Sequence, residues 1–412
     1  MSEQAILHSD LNAFYASVEM LLDPSLRGKA VAVCGSTEER HGIVLAKSQL
    51  AKKAGVKTGM ANWEARRCCK DLIVVPPQYD EYLKFSKLVR AIYQRYTDFI
   101  EPFGMDECWL DITGSSVMGS PMEIAEEIRQ AVKDEIGLTV SIGVSYTKVF
   151  AKLGSDMKKP DAITQITRES VPSLVWPLPA SELLYCGPAT TRKLAGYGIR
   201  TIGQVAESDP EFLRRFLGIN GVALWRYANG TDHSRVMQQE YVAPIKTIGH
   251  GITCSSDLHN NQEVKKVLYE LSQDVGHRLR VYELTARGVQ IWVRADDLYG
   301  CQYQCKLPLQ TQLPSDIAAA AFQLFRSRYD WSKKVRALTV RAIDLVPQGT
   351  PRQTSLFWDC SRQERRESLQ STIEDLRNRF GKDSISYALL MGDLKMPDDG
   401  RDKVRMPGLM FQ

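Results

Sequence analysis

A multidomain α/β chain is predicted by three observations. At 412 residues the chain is more than twice the length of a typical single domain of about 150 residues. From residue 1 to about 165, short apolar runs alternate with amphipathic stretches, as in one α/β domain carrying an insertion. Pro172, Pro177 and Pro179 then break the pattern, and a second, smaller α+β alternation runs over 245–347.

Each element has a local reason. Ala5 to Asp10 is an apolar run ending in a carboxylate, a buried strand whose end emerges at a site. Phe14 to Leu22 reads as a helix stopped at Asp23-Pro24, and Lys29 to Cys34 as a second strand. Residues 42–75 mix a strand at Ile43-Val44-Leu45 with basic helical pieces around Lys52 and Lys53. Phe85, Leu88, Val89, Ile92, Tyr96 and Phe99 fall at helical spacing, predicting a long helix ending before Pro102. Phe103 to Asp111 alternates like a hairpin around the adjacent acids Asp106 and Glu107. Ser120-Pro121-Met122-Glu123 is a capping box with proline at the first helical position, opening a helix to Ile136. Leu138 to Val144 is another strand.

Beyond the prolines, residues 181–235 are short helical pieces punctuated by glycine, at Gly187, Gly196, Gly198, Gly218 and Gly221. Such turns expose backbone N–H groups at helix starts, which can hold phosphates, although a plain helical subdomain has the same pattern. A helix over 263–280, a strand over Gly288–Arg294, a helix around 315–328 and a strand over Ala337–Ile343 follow. The tail from 348 carries Gln353-Thr354-Ser355-Leu356-Phe357, then a helix with Leu369, Ile373, Leu376 and Phe380 on one face.

Composition narrows the function classes. Hydrophobic residues at 43% and charged residues at 25% are ordinary globular values, which excludes gross disorder. No apolar run approaches the ~20 residues that span a bilayer, and Met-Ser-Glu-Gln lacks a secretory pattern, so a cytoplasmic protein without a membrane partner is expected. With 53 Lys and Arg against 49 Asp and Glu, the net charge of +4 does not itself demand a nucleic-acid partner. It leaves room for a local basic surface opposed by an acidic site. The nine cysteines are scattered, and neither Cys68-Cys69 nor Cys301 with Cys305 has a second ligand pair nearby, so reduced thiols are expected rather than zinc.

Asp10, Asp106 and Glu107 are the sharpest feature. If the strand and the hairpin are neighbours, three carboxylates converge and repel. Mg²⁺ relieves such a cluster, favouring a few carboxylates plus substrate phosphates, and two ions can clamp both oxygens of a phosphoryl displacement. Taken alone, Asp-Glu reads as an ordinary exposed hairpin turn.

Several segments together resolve this. Ser9-Asp10-Leu11-Asn12-Ala13-Phe14-Tyr15-Ala16-Ser17-Val18-Glu19 resembles the first motif of Y-family translesion DNA polymerases. Gly104 to Asp111 resembles their second acidic motif; Ser141 to Ser145, with Lys148 to Leu153 and Asp156 to Pro160, resembles the third. The likeness extends over about 5–347 and is greatest to the bacterial DNA polymerase IV type.

This resemblance implies a right-hand polymerase. The palm would comprise 1–12 and 76–168, the fingers 13–75, a helix-hairpin-helix thumb 169–240, an α+β little finger 241–347, and a tail 348–412. It implies that Asp10, Asp106, Glu107 and the Leu11 carbonyl hold two Mg²⁺ ions, and that Tyr15 is the steric gate against a 2′-hydroxyl. Lys159 corresponds to the lysine that meets the triphosphate, whereas Lys158 is solvated. One departure stands out: where relatives carry Thr or Ser, Tyr and Arg on the triphosphate, this chain has Ala46, Gln49 and Lys52 before Gly55-Val56. Lysine keeps the charge but loses the fork of arginine, so Lys47 or Lys53 would share the grip.

The little-finger stretch 241–348 holds 14 Lys and Arg and 10 Asp and Glu, with Lys246, Arg278, Arg287, Arg294 and Arg336 the expected DNA-backbone contacts. Gln353, Ser355, Leu356 and Phe357 resemble a sliding-clamp binding peptide. The implied partners are primer-template DNA, a dNTP and the sliding clamp, for a monomeric, low-fidelity polymerase without proofreading. A catalytically silent clamp-tethered DNA-binding protein is disfavoured by the intact carboxylates. Another palm-fold enzyme, such as a nucleotide cyclase, has no need of a thumb or little finger.

Overall fold

The computed structural model describes residues 4–38, 40, 42–352, 359–381 and 384–397. The chain divides into two compact units, the first holding the residues up to Gly35 and Ile43–Val242, the second the 36–42 stretch and the residues from Ala243.

In the first unit, β1 (Ile6–Leu11) leads through a tight turn at Ala13, whose φ is 48°, into α1 (Phe14–Leu22). Next come β2 (Val31–Cys34), β3 (Val44–Lys47), α2 (Gln49–Lys53), α3 (Asn62–Cys68) and β4 (Ile73–Val75). These strands form their own sheet in the order β3-β2-β4, over a small core of Ala32, Val44, Ala51, Val56, Ala65 and Leu72.

The chain then runs through α4 (Tyr79–Tyr93), the hairpin β5 (Ile100–Pro102) and β6 (Glu107–Asp111), α5 (Pro121–Ala131), β7 (Val140–Ser145), α6 (Lys148–Met157) and β8 (Ile163–Ile166). Together with β1 they build a five-stranded sheet ordered β5-β6-β1-β7-β8. Every residue of β1 is buried, as its central place requires. Leu7, Leu110, Val140 and Ile142 pack with Val18, Val89, Ile92, Ile124 and Ile128 from the helices. Each such buried side chain is worth roughly 1.5–3 kcal/mol. Beside β7, α6 approaches so closely that a Cβ at Gly143 would lie 1.9 Å from the Ala151 carbonyl oxygen. The glycine of the Ser-Ile-Gly-Val stretch is thus what lets α6 lie against the strand.

The long helix predicted to run toward Pro102 ends at Tyr93, leaving Tyr96 and Phe99 outside it. Its buried face is Tyr82, Ser86, Val89, Ile92 and Tyr93, and Leu88 is exposed. The apolar count found Val89 and Ile92 of this face but missed Ser86 and the tyrosines, whose hydroxyls have internal partners: Ser86 Oγ donates to the Met105 carbonyl and Tyr93 to Ser9 Oγ.

Four helices complete the unit: α7 (Pro188–Gly196), α8 (Ile202–Glu207), α9 (Pro210–Leu217) and α10 (Ile219–Ala228). Thr201 and Asp209 cap α8 and α9 with their side chains. Glycines stand at the caps of α7 and α10, leaving their first N–H groups without a side-chain acceptor.

In the second unit, β9 (Ile248–Leu258), α11 (Asn261–Val281), β10 (Leu284–Ala295), β11 (Gly300–Thr311), α12 (Pro314–Arg328) and β12 (Val335–Pro347) form an antiparallel sheet ordered β11-β10-β12-β9. Val264, Leu268, Leu271, Ile317 and Phe325 of the helices pack on Val289, Ile291, Leu338 and Val340 of the sheet.

The tail helix is α13 (Cys360–Phe380), and the apolar face read from the sequence is not its only buried side. Leu369 and Phe380 are exposed, while Gln363 and Gln370 are buried. Its contacts are polar: Glu374 pairs with His277 and with Arg280, Arg366 with Asp316, and Arg377 with Gln273. The predicted clamp-binding residues Gln353, Ser355, Leu356 and Phe357 lie outside the described residues.

Candidate active site

Strand register brings the three carboxylates together. Asp10 is opposite Glu107 on β6 and opposite Ser141 on β7. The Leu11 amide donates to the Asp106 carbonyl at 2.9 Å, fixing the turn beside the strand end. That turn needs Gly104, whose φ of +136° is strained for any L side chain. Like charges directly opposite in a sheet are unfavourable. Here they come with two lysines.

Lys159 Nζ lies 2.6 Å from Asp10 and 2.8 Å from Asp156, and Lys152 Nζ lies 2.8 Å from Glu107 and 3.2 Å from Asp156. Lys152 was not among the predicted site residues. The signal for it was present: Lys152, Asp156 and Lys159 recur at i, i+4 and i+7, one face of α6 and its continuation. Asn12 was also missed. It is buried, donates to Ser141 Oγ and accepts from the Asp161 amide, tying the end of β1 to the segment after Lys159.

Four carboxylates thus face two ammonium groups, and the protonation equilibria show the imbalance. Burial, with the Glu107 charge adding to it and Lys159 opposing, pushes Asp10 up to about 7. Burial and the Glu107 charge push Asp106 up to about 6. Among the described residues no lysine or arginine pairs with Asp106. Burial also works against the Glu107 charge, but the His8 ring and the Lys152 ammonium outweigh it and hold Glu107 at about 2. His8 itself is fully buried and pushed down to about 4, so the ring is neutral. Its Nδ1 meets Ser155 Oγ at 2.8 Å, and Nε2 stands 3.4 Å from Glu107.

The donor set is all hard oxygen, and it retains negative charge after both lysines are counted. That chemistry fits Mg²⁺. No three described His, Cys, Asp or Glu side chains stand as a preformed metal cage. In this structure, the lysines supply the compensating charge.

Tyr15 stands in the first turn of α1, stacked on Tyr82 with ring centroids 4.3 Å apart and 8° between planes. Tyr79 meets it edge-on, and the Tyr15 hydroxyl donates to Met105 Sδ. Tyr82 is held in turn by a short hydrogen bond to Glu19, which also accepts from Gln78. Burial and the Asp106 charge push the Tyr15 phenol up to about 12. The ring is rigid and lies within the field of the cluster. Neither Tyr82 nor Glu19 was singled out from the sequence.

Gln49 opens α2, and Lys52 on that helix is exposed. Burial lowers the Lys47 pKa and the Lys52 charge lowers it further, so the two ammonium groups act on each other.

The residues expected to meet a nucleic-acid backbone are dispersed. On the sheet face turned from α11 and α12, register aligns Gln304, Gln290, Arg341 and Gly249 in one row, and Gln302, Trp292, Thr339 and Gly251 in the next. Arg341 donates to Gln290, and Gln290 to Gln304. Arg294 stands on the same face; Arg287 and Arg336 sit where the ladder bulges. Lys246 is exposed just before β9. Arg278 does not join them. It projects from α11 on the helix-covered side and is paired with Asp274, which also meets His250. Arg341 and the glutamine rows were missed because mid-strand polar residues show which face they occupy only once the register is known.

Comparison with known proteins agrees with this geometry. The impB/mucB/samB family model matches residues 9–156, and its C-terminal domain model matches 245–356. DNA polymerase IV of Acetivibrio thermocellus is 48% identical over 95% of this chain and 98% of that protein. DNA polymerase IV 1 of Bacillus subtilis is 38% identical over 91% of this chain and 90% of that protein. A solved Y-family DNA polymerase chimera superposes with a TM-score of 0.74 at 22% identity, covering 84% of this chain and all of that one. The chain belongs to the Y family of DNA polymerases, in its bacterial DNA polymerase IV branch.

Proposed function

We propose that this DNA-directed DNA polymerase of translesion synthesis extends a primer at the Asp10–Asp106–Glu107 cluster. The primer 3′-oxygen forms a bond to the α-phosphorus of a dNTP, and the bond to the pyrophosphate oxygen breaks. The observation that carries this reading is the register: Asp10 faces Glu107 across the ladder, and Asp106, on the turn between β5 and β6, accepts from the Leu11 amide beside them.

Two Mg²⁺ ions held by Asp10, Asp106, Glu107 and the Leu11 carbonyl would supply Lewis acidity and lower the pKa of the primer hydroxyl. The chain's own residues do the rest. Lys159 exchanges its contact with Asp10 for the incoming triphosphate, and Lys152 keeps Glu107 ionised. Lys52, with Gln49 and Lys47 nearby, meets the outer phosphates as a point charge rather than a fork. The Tyr15 ring, fixed by Tyr82, leaves no room for a 2′-hydroxyl.

In this reading 1–12 with 76–168 are the palm, 13–75 the fingers, 169–240 the thumb and 241–347 the little finger. The bare starts of α7 and α10 take duplex phosphates, and the open sheet face with Arg294 and Arg341 follows the backbone. The protein works as a cytoplasmic monomer, without proofreading, and Gln353 to Phe357 tether it to the sliding clamp. The test is primer extension by Asp106→Asn beside the wild type. Loss of extension with retained DNA binding is expected; normal extension by the purified variant ends the assignment.

A further inference from the structure

We propose that the exposed face of α3 is a docking surface for single-stranded DNA, the unpaired stretch of template, with Trp63 as its stacking platform. The proposal rests on the polymerase reading above and adds a subsite to it.

Trp63 is 60% exposed, and it is the only exposed tryptophan among the described residues. It stands on a helix whose other side is well anchored: Asn62 and Ala65 are buried, and Ala65 belongs to the core of the small sheet. The exposed side carries Trp63, Arg66 and Arg67 at i, i+3 and i+4, and Lys70 follows at i+7. The Arg67 guanidinium backs the indole at 5.8 Å from its centroid, so the ring is braced rather than free to turn.

The charge around it is not compensated internally. Between Ile43 and Val75 there are seven Lys and Arg and two Asp and Glu, a local +5 against +4 for the whole chain. Glu64, one of the two acids, is spent on the Ala61 amide in the cap of α3. Among the described residues none of the seven cations is in an ion pair with a carboxylate, and Lys47 donates to Thr58 Oγ1. A rigid exposed indole beside unpaired arginines matches a polyanion that offers flat aromatic faces. Single-stranded DNA does so at every nucleotide, whereas a duplex hides its base faces in the stack. An acidic protein surface would use the arginines and leave the indole idle.

The test uses the full chain and two primer-templates that differ only in overhang, one with a single unpaired template nucleotide and one with about ten. Fluorescence anisotropy should show the long overhang bound about tenfold more tightly by the wild type, the scale of one base stacked on an aromatic ring. Trp63→Ala should lose most of that preference and Trp63→Phe keep much of it. Arg66→Ala with Arg67→Ala should weaken it and flatten the dependence of log affinity on log salt by about one unit. All variants should insert a single nucleotide on the short overhang at the wild-type rate. The inference is overturned if the wild type shows no overhang preference, or if Trp63→Ala keeps it in full. A preference that follows only the arginines overturns the stacking platform. Failure of the wild type to bind or extend either substrate overturns the polymerase reading and this subsite with it.

Discussion

Two buried groups of charge in this protein are built in opposite ways. Around Asp10, acids outnumber bases, and burial raises Asp10 and Asp106 toward neutrality. Around Glu374, acid and base match: burial opposes its charge, but His277 and Arg280 overcome it and hold the carboxyl at about 2. A matched cluster is complete and fastens α13 to α11. An unmatched cluster stores repulsion that protons or further cations relieve, which is what the proposed metal site requires and a clasp does not.

The largest expected effect separates the two directly. Asp10→Asn should lower single-nucleotide insertion by about a thousandfold or more, because several kcal/mol of charge stabilisation leaves with the ligand. Lys159→Ala, which leaves the carboxylates in place, should cost less. Insertion by Asp10→Asn within tenfold of wild type would erase the distinction between site and clasp.

Next in size is sugar selection. Tyr15→Ala should lower the preference for dNTP over rNTP by about a hundredfold or more, well beyond its effect on overall rate. One lost methylene gives about 10–200-fold, and a rigid ring clash exceeds a small volume change. Tyr82→Leu, which removes the stacked support without touching the gate, should relax the same ratio partially. An unchanged ratio in Tyr15→Ala would move the gate elsewhere, with Phe14 the next residue to test.

The clasp should respond in stability and not in chemistry. Glu374→Ala leaves the Arg280 guanidinium and the half-exposed His277 ring unpaired, and should destabilise the second unit by about 1–2 kcal/mol in urea unfolding. Insertion on a bare primer should stay at the wild-type rate. A variant as stable as wild type would show that α13 is only laid on the surface.

The smallest effect is in acid. Glu374 has a folded pKa below its unfolded value of about 4.3, so its contribution is full above that value and disappears as pH falls toward 2. Amide exchange in α13 should therefore accelerate relative to α11 over that window, and Glu374→Gln should abolish the difference. Equal acceleration in both helices would mean that the clasp does not titrate.

These two clusters were unequally legible in the sequence. The one proposed to be catalytic could be read because a strand ending in Asp10 and a hairpin holding Asp106 and Glu107 are local patterns, and a resemblance joined them. The lysine pair was half legible: both stood in the third motif, but only Lys159 had a role there, while that of Lys152 depends on α6 packing beside Gly143. The clasp could not be read. The sequence places Leu369, Ile373, Leu376 and Phe380 on one face but does not say what the helix meets, and α13 makes ion pairs and amide contacts with partners about a hundred residues away. Arg278 misled for a similar reason, since a helical arginine does not reveal whether Asp274 already holds it.

The central claim, that the Asp10–Asp106–Glu107 cluster is unfinished without cations, is tested most directly by thermal unfolding under a magnesium titration. Wild type and Glu374→Ala should both gain stability with added Mg²⁺, approaching it logarithmically as binding to the folded state requires. Asp106→Asn should show little or none of that gain. An identical rise in wild type and Asp106→Asn, or no rise in any of them, would contradict the account.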